Sequence, residues 1–463
     1  MSNILFINPP SDTKVIRDAH RCGRKSAEGM VWCQTNLAQL ASMVYKILTP
    51  TVYDCIGMGM NYGELTLKIY EKNPKYVVFQ VIPATLSEDM KVAEIAKRTG
   101  AKTIAIGAHA VSMPEEILCK YPEVDYVIHG EVEWALKELI EVLESTATPA
   151  RLYYIRGIAF RDGVKVIKNE DRNFGNLDEL DIPFYHHLPM KAYNMPFYGR
   201  YVFIIAGRGC PYSCIFCREK LVFKNVVRMK DPQFILDEIN TLRAHNVDIY
   251  MFHAGDFTAD REWVFKLCLK IKRARIKWGC NTHLRTIDKE MAEAMRDAGC
   301  VMIAPGIESG SEKVLSKCGK QINRDIIISQ VNMLANTGID VWGYFIIGLP
   351  GETVETIDET INLACALPLK IAHFGIATPY YGTEFHEMCV ENKWLTATKW
   401  EDYDQNQGIA IEYPNLSKED IRRGLRKAYL RFYGRPRKIA MLLSRTTHMS
   451  LSEIIKTARS VLA

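Results

Sequence analysis

The chain has 463 residues, 48% of them hydrophobic and 24% charged, with a net charge of +5. That is the balance of a folded chain of about two to four domains, which excludes a disordered or collagenous protein. The small, dispersed charge argues for no nucleic-acid partner. No run of about 18 apolar residues is present, so no membrane-spanning helix is expected. Residues 1–10 lack a basic segment and a long apolar core, so no signal peptide is expected. The 13 cysteines are an odd number, and Cys55, Cys119, Cys268, Cys280, Cys300 and Cys365 stand singly, mostly in apolar stretches. They read as free thiols of a reducing cytoplasm rather than as a disulfide framework.

In chain order, short apolar runs at 4–8, 51–55, 76–82, 103–107 and 125–130 alternate with helical stretches at 35–48, 65–72, 87–99, 114–120 and 133–143. This alternation predicts an α/β fold with a doubly wound parallel sheet over residues 1–148. Ligands of such sheets bind at the carboxyl ends of the strands. The candidate loops are 9–11, 81–87, 107–110 and 130–131, all rich in small residues that let a backbone approach a large planar ligand. Residues 149–200 form a connector containing a β-hairpin with Asp162-Gly163 at its turn. His186 and His187, adjacent on a loop, read as solvated.

From 201 to 393 the alternation resumes, with strands at 201–206, 248–254, 277–282, 302–307, 341–347 and 371–377. Six repeats predict a (βα)6 partial barrel, whose functional rim lies at the carboxyl ends of its strands. Residues 394–463 read as a helical, basic region: a solvated cap over the barrel, or more sharply a surface for peripheral contact with anionic lipid.

After the first barrel strand comes Gly209-Cys210-Pro211-Tyr212-Ser213-Cys214-Ile215-Phe216-Cys217. Thiolates are the usual ligands of iron–sulfur clusters, and a cubane needs four. Three leave one iron open, which suits an enzyme that binds substrate at the metal. Structural zinc would want four ligands in paired clusters, and no second pair lies nearby. The spacing C-x3-C-x2-C, with Phe216 before the last cysteine, resembles the radical S-adenosylmethionine superfamily. The N-terminal loops resemble the cobalamin-binding domain that precedes many of its members. The closest likeness is to the subset that includes C-methyltransferases, the anaerobic porphyrin-ester cyclase and hopanoid-associated enzymes.

This resemblance implies a 4Fe-4S cluster on Cys210, Cys214 and Cys217, with S-adenosylmethionine on the open iron. It implies S-adenosylmethionine contacts from Phe216, from Gly255 and Asp256 after the second barrel strand, and from Glu308 in Gly306-Ile307-Glu308-Ser309 after the fourth. It places Thr85, Ser87, Gly107 and Ala108 around a cobalamin nucleotide tail. Pro379-Tyr380-Tyr381-Gly382-Thr383 is of a kind that recurs in the cobalamin-linked subset. Asp18-Ala19-His20-Arg21-Cys22-Gly23 fits D-x-H-x-x-G, a cobalt-ligating pattern elsewhere. It lies in a polar connection away from its strand, so His20 is read as solvated. Glu352 is read as favouring a helix N-terminus.

The activity implied is formation of a 5′-deoxyadenosyl radical that takes hydrogen from an unactivated carbon, most simply for methylation. A radical cyclase or rearrangement enzyme is the chief rival, and a non-catalytic cluster or cobalamin sensor is a reading from another class. Methylthio transfer to RNA would need further cluster cysteines in the N-terminal domain, and those present are scattered. The implied partners are a small, bulky apolar substrate (lipid-like or tetrapyrrole) and a low-potential electron donor of the flavodoxin or ferredoxin type.

Overall fold

The computed structural model describes residues 3–18, 22–26, 29–145 and 149–443. The N-terminal strands are β1 (Asn3–Asn8), β2 (Thr49–Asp54), β3 (Tyr76–Gln80), β4 (Lys102–Ile106) and β5 (Tyr126–Ile128). They are parallel, in the order β2-β1-β3-β4-β5. Strands covered on both faces read as continuous apolar runs, and every residue of β3 and β5 is buried. Helices such as Thr35–Val44 and Val132–Glu144 cover the faces.

The expected hairpin exists as β6 (Ile158–Asp162) and β7 (Lys165–Lys168). It is not an isolated connector: β6 pairs antiparallel with β5, so the hairpin extends the N-terminal sheet. The rest of the connector makes three short turns, 177–179, 185–187 and 190–192. His186 and His187 pack on each other and on Phe184.

The second sheet holds β8 (Gly199–Ile205), β9 (Ile249–His253), β10 (Trp278–Thr282), β11 (Cys300–Glu308), β12 (Asp340–Ile347) and β13 (Ile371–Ile376). They are parallel and lie in sequence order, with Asn194–Met195 antiparallel on the β8 edge. A sheet that runs from β8 to β13 without pairing them is a curled half-barrel. The helices that return the chain start on a side-chain cap: Asp231, Asp260, Asp288, Asn323 and Thr353 each accept a hydrogen bond from an amide of the first turn.

The basic helix Lys418–Tyr433 is amphipathic and serves as a cap. Ile421, Gly424, Ala428 and Phe432 are buried. The hydroxyls of Tyr429 and Tyr433 donate to the carbonyls of Phe374 (3.0 Å) and Ala372 (2.9 Å) on β13. The lipid-facing reading of the last residues, 444–463, falls outside the described residues. Among the described residues no helix is long and apolar enough to cross a membrane.

Candidate active site

The cysteine loop is boxed in by backbone. Gly207–Arg208 pairs antiparallel with Arg228–Met229. Gly209 follows at φ +84°, where a Cβ would collide with the Val226 carbonyl, so only glycine fits. The Gly209 amide donates to Glu219 Oε1 at 3.1 Å. Asn225 Nδ2 donates to the carbonyl of Tyr212 at 2.9 Å. The Ile215 amide donates to the Cys318 carbonyl at 3.1 Å. The Tyr212 ring stacks on His283, with centroids 3.8 Å apart and planes 20° apart.

Cys210, Cys214 and Cys217 line one cavity of about 290 Å³ at the carboxyl ends of the barrel strands, and no other cysteine lines it. Among the described residues no three His, Cys, Asp or Glu side chains are grouped to hold a single metal ion. A cubane takes each thiolate at a different corner, so three separated thiols around one cavity suit a cluster with one open iron. Burial pushes the Cys210 and Cys217 thiols up to about 12 and raises Cys214 as well. They are therefore protonated when metal-free, and loading a cluster must displace those protons.

Phe216, Gly255 and Glu308 line the same cavity. Glu308 is a non-glycine residue at φ +67°. Strain of that kind persists only where the surroundings enforce it, typically at functional sites. Its carboxylate accepts from Lys320 Nζ at 3.2 Å, and both side chains are buried. Burial works against the Lys320 charge, but Glu308 outweighs it and holds the ammonium above its usual range. Gly306 makes the room: a Cβ there would strike the Glu308 carboxylate and stand 3.0 Å from Lys320 Nζ.

Asp256 departs from the expected role. Its carboxylate is buried and accepts from the amides of His283 (3.1 Å) and Thr258 (3.3 Å) and from the hydroxyls of Thr258, Thr282 and Thr286. Those donors occupy its oxygens, and it does not line the cavity. It ties the loop after β9 to the loop after β10 and so places His283 against Tyr212. His283 is buried; its Nδ1 accepts from the Arg285 amide at 3.3 Å, which leaves Nε2–H as an unpartnered donor at the cavity wall. Burial, then Lys320 and Arg285, pull its pKa down to about 3, so it is neutral in use.

A second cavity, of about 90 Å³, lies where the N-terminal strand ends meet the barrel. Gln80, Ile106, Gly107, Gly130 and Glu131 face Phe203, Arg208 and His253 across it. Gly130, at φ +78°, has nothing within 4 Å of a Cβ position. Gln80 Oε1 is buried without a partner. A bare glycine cradle and an orphaned amide fit a bound ligand that presents hydrogen-bonding groups. Trp32 lines both cavities.

Thr85 and Ser87 line neither cavity. The crevice between β1 and β3, where strand order reverses, is filled by the chain itself. Arg17, fully buried, donates to Asn8 Oδ1 (2.9 Å), the Pro9 carbonyl (2.9 Å) and Asp89 Oδ1 (2.7 Å). Thr85 is buried in that network, its hydroxyl donating to Asp89 at 2.8 Å, while Ser87 donates to Glu401 at 2.5 Å. Their hydroxyls are thus spent within the protein. Of the four cradle residues Gly107 alone lines either of these two cavities; Ala108 is buried and its carbonyl accepts from Arg218 Nη2 at 2.6 Å. His20 lies outside the described residues, whereas Asp18 lines the second cavity.

Residues 204–364 match the Radical SAM superfamily. The fold resembles that of TsrM from Kitasatospora setae, a radical S-adenosylmethionine methyltransferase solved with tryptophan substrate and a SAM analog. The TM-score is 0.71 at 17% identity, over 94% of this chain and 90% of that one. A second structure of TsrM holds cobalamin and a [4Fe-4S] cluster. An uncharacterized methyltransferase of Pyrococcus horikoshii, PH0819, is 30% identical over 443 residues, 94% of this chain and 93% of its own. The chain belongs to the cobalamin-binding-domain radical S-adenosylmethionine family. The family also takes in the anaerobic magnesium-protoporphyrin IX monomethyl ester cyclase of Cereibacter sphaeroides, 26% identical over 81% of this chain and 62% of its own. As a radical S-adenosylmethionine enzyme it uses a 4Fe-4S cluster and S-adenosylmethionine.

Three buried basic residues around the cysteine loop escape sequence reading: Lys320, Arg208 and Arg218. One signal was present, because Arg208 is the only charged residue between Tyr201 and Cys217. Lys320 sits among ordinary loop residues, and nothing local marks it as buried.

Proposed function

We propose that the protein methylates an unactivated carbon of a small apolar molecule, with cobalamin held at the N-terminal cavity beside the cluster cavity. The observation that carries this reading is the adjacency of the two cavities across Trp32. When bound, the cluster with S-adenosylmethionine supplies a hydrogen-abstracting radical and cobalamin supplies a methyl group. Cys210, Cys214 and Cys217 hold the cluster. Glu308 and Lys320 present a carboxylate and an ammonium, which complement the ammonium and carboxylate of a free amino-acid end. His283 offers a neutral N–H donor at the same wall. Gly130 leaves room for the cobalamin, Gly107 lines the same cavity with its backbone packed on Val81, and Gln80 offers an unpartnered carbonyl oxygen.

The barrel interior supports an apolar acceptor. Beneath the cluster cavity a third space, of about 40 Å³, is lined by Met30, Met195, Met251, Met302 and Trp342, with no Asp, Glu, Lys or Arg side chain among its lining residues. A charged group there would go unpaired at a large desolvation cost, whereas methionines adapt to irregular apolar shapes.

The test is anaerobic reconstitution with iron and sulfide, with and without methylcobalamin, followed by assay of bound cobalamin and products. Methionine, 5′-deoxyadenosine and S-adenosylhomocysteine are expected together. Alanine at Cys210, Cys214 or Cys217 should abolish both the brown colour and nucleoside release. The similarity to the porphyrin-ester cyclase favours one second reading, radical cyclisation without methyl transfer. Turnover that releases 5′-deoxyadenosine but no S-adenosylhomocysteine would select it.

A further inference from the structure

Two buried arginines bracket the cysteine loop, and both reach into the N-terminal domain. Arg208, two residues before Cys210, gives Nη1 to Glu131 at 2.8 Å and to Glu133 at 3.2 Å, and Nη2 to Glu133 as well. Arg228, on the strand paired with Arg208, shares Glu131 at 2.6 Å. Arg218, the residue after Cys217, donates to the Ala108 carbonyl and lies 5.1 Å over the Tyr380 ring. Arg208 is 8% exposed and Arg218 is 3% exposed.

The partners they choose are informative. Glu131 follows Gly130 and Ala108 follows Gly107, so each arginine holds the residue next to one of the two glycines that the N-terminal domain contributes to the cavity. Arg208, Glu131, Glu133 and Glu219 line that cavity themselves, and Glu219 also holds the Gly209 amide. Buried ion pairs are a poor means of adding stability, because desolvation offsets most of the Coulomb gain. A planar guanidinium gripping two carboxylates fixes geometry instead.

We propose that Arg208 and Arg218 are positioning residues that couple the cluster loop to occupancy of the N-terminal cavity. A ligand seated between Gly107 and Gly130 orders the 107–108 and 130–133 loops, and the arginines pass that order to both ends of the 209–217 loop. The coupling is reciprocal: an ordered cluster loop tightens binding at the cavity by the same factor. The inference rests on cobalamin being that ligand.

The test uses the full-length, cluster-free, reduced protein under anaerobic conditions. Alkylation of Cys210, Cys214 and Cys217 by iodoacetamide is timed by peptide mass spectrometry, with and without methylcobalamin. The exposed Cys119 serves as the internal control. In the wild type, methylcobalamin should slow alkylation of the loop thiols by about fivefold or more, the lower end of ordinary site-to-site couplings, and leave Cys119 unchanged. Arg218→Gln, whose side chain lines neither cavity, should still retain methylcobalamin on gel filtration, with less than about twofold slowing. If Arg218→Gln does not fold by circular dichroism, Arg218→Met, which keeps the buried alkyl stem and removes the donor to the Ala108 carbonyl, carries the same test. Equal slowing in the variants would mean simple shielding by the ligand and would overturn the coupling alone, as would retention with no slowing in the wild type. A wild-type protein that fails to retain methylcobalamin would remove the cobalamin reading and the coupling together.

Discussion

Glu308 and Glu352 show how differently two carboxylates at the barrel rim are used. Glu308 keeps a strained backbone and a charged partner, Lys320, while facing the cluster cavity. Charge-assisted hydrogen bonds contribute about 1.5–3 kcal/mol, so Glu308→Gln should weaken S-adenosylmethionine binding by about 10- to 100-fold. Lys320→Met should act in the same direction; equilibrium dialysis of the reconstituted protein measures both. Among the described residues Glu352 has no charged partner. It is fully buried, accepts from the amides of Gly348 and Leu349, and leaves Oε1 without a partner. Burial pushes it up to about 8 from 4.5, so the folded form keeps a proton that the unfolded form loses. Its contribution is full below pH about 4.5 and is lost as pH rises through about 8, at up to about 1.4 kcal/mol per pH unit. Glu352→Gln should remove that part of the slope, read as the difference between wild-type and variant urea midpoints at pH 5.5 and 8.5. Sequence reading separates these two by position: Glu308 directly ends an apolar strand at the rim, whereas Glu352 stands just before a helix. It could not find Lys320, because the burial of a loop lysine depends on what packs over it.

At the level of elements, the strands were legible because each buried strand is a continuous apolar run that alternates with a helical stretch. The loops were less legible, because a polar side chain at a strand end can face a ligand or another loop. Asp256 faces loops. Its removal would strand the donors of Thr258, Thr282, His283 and Thr286, at about 1–3 kcal/mol for each that stays buried and unpaired. Asp256→Ala should therefore lower stability by at least about 2 kcal/mol. It should also reduce iron retained after reconstitution, since His283 no longer holds Tyr212 in place. Asp256→Asn keeps acceptor capacity and should retain most of the iron; equal loss in both variants would put the charge itself at the site. Thr85 and Ser87 were misread for a related reason. Small residues at a strand end suit a cradle, but the residue filling that crevice, Arg17, comes from a short bridged segment 60 to 70 positions away, which no local pattern announces.

At the scale of the molecule, the two sheets are joined by a strap as well as by the arginine clamp. Residues 394–413 leave the barrel and cross to the N-terminal domain. There Trp400 Nε1 donates to Glu116 at 2.9 Å and its ring meets the edge of His109, centroids 4.7 Å apart. Asp404 accepts from the Arg24 amide at 3.2 Å and Asn406 donates to the Lys25 carbonyl at 2.5 Å. Returning to the barrel, the Gln405 carbonyl accepts from the Ile376 amide at 2.6 Å, and Gln405 and Asn406 line the cluster cavity. The strap therefore closes the site with residues whose position depends on both domains at once. Domain interfaces that lose their anchoring contacts let the domains unfold separately. Trp400 is only half-buried, so truncating it should cost about 2 kcal/mol, less than the about 3–5 kcal/mol of a core tryptophan. Trp400→Ala should split a single calorimetric unfolding transition into two, with the N-terminal sheet and the barrel melting apart. It should also widen access to the cluster cavity, seen as faster alkylation of Cys214 in the cluster-free protein. A single transition at the wild-type midpoint, with unchanged alkylation, would show that the Trp400 anchor is not needed to join the domains.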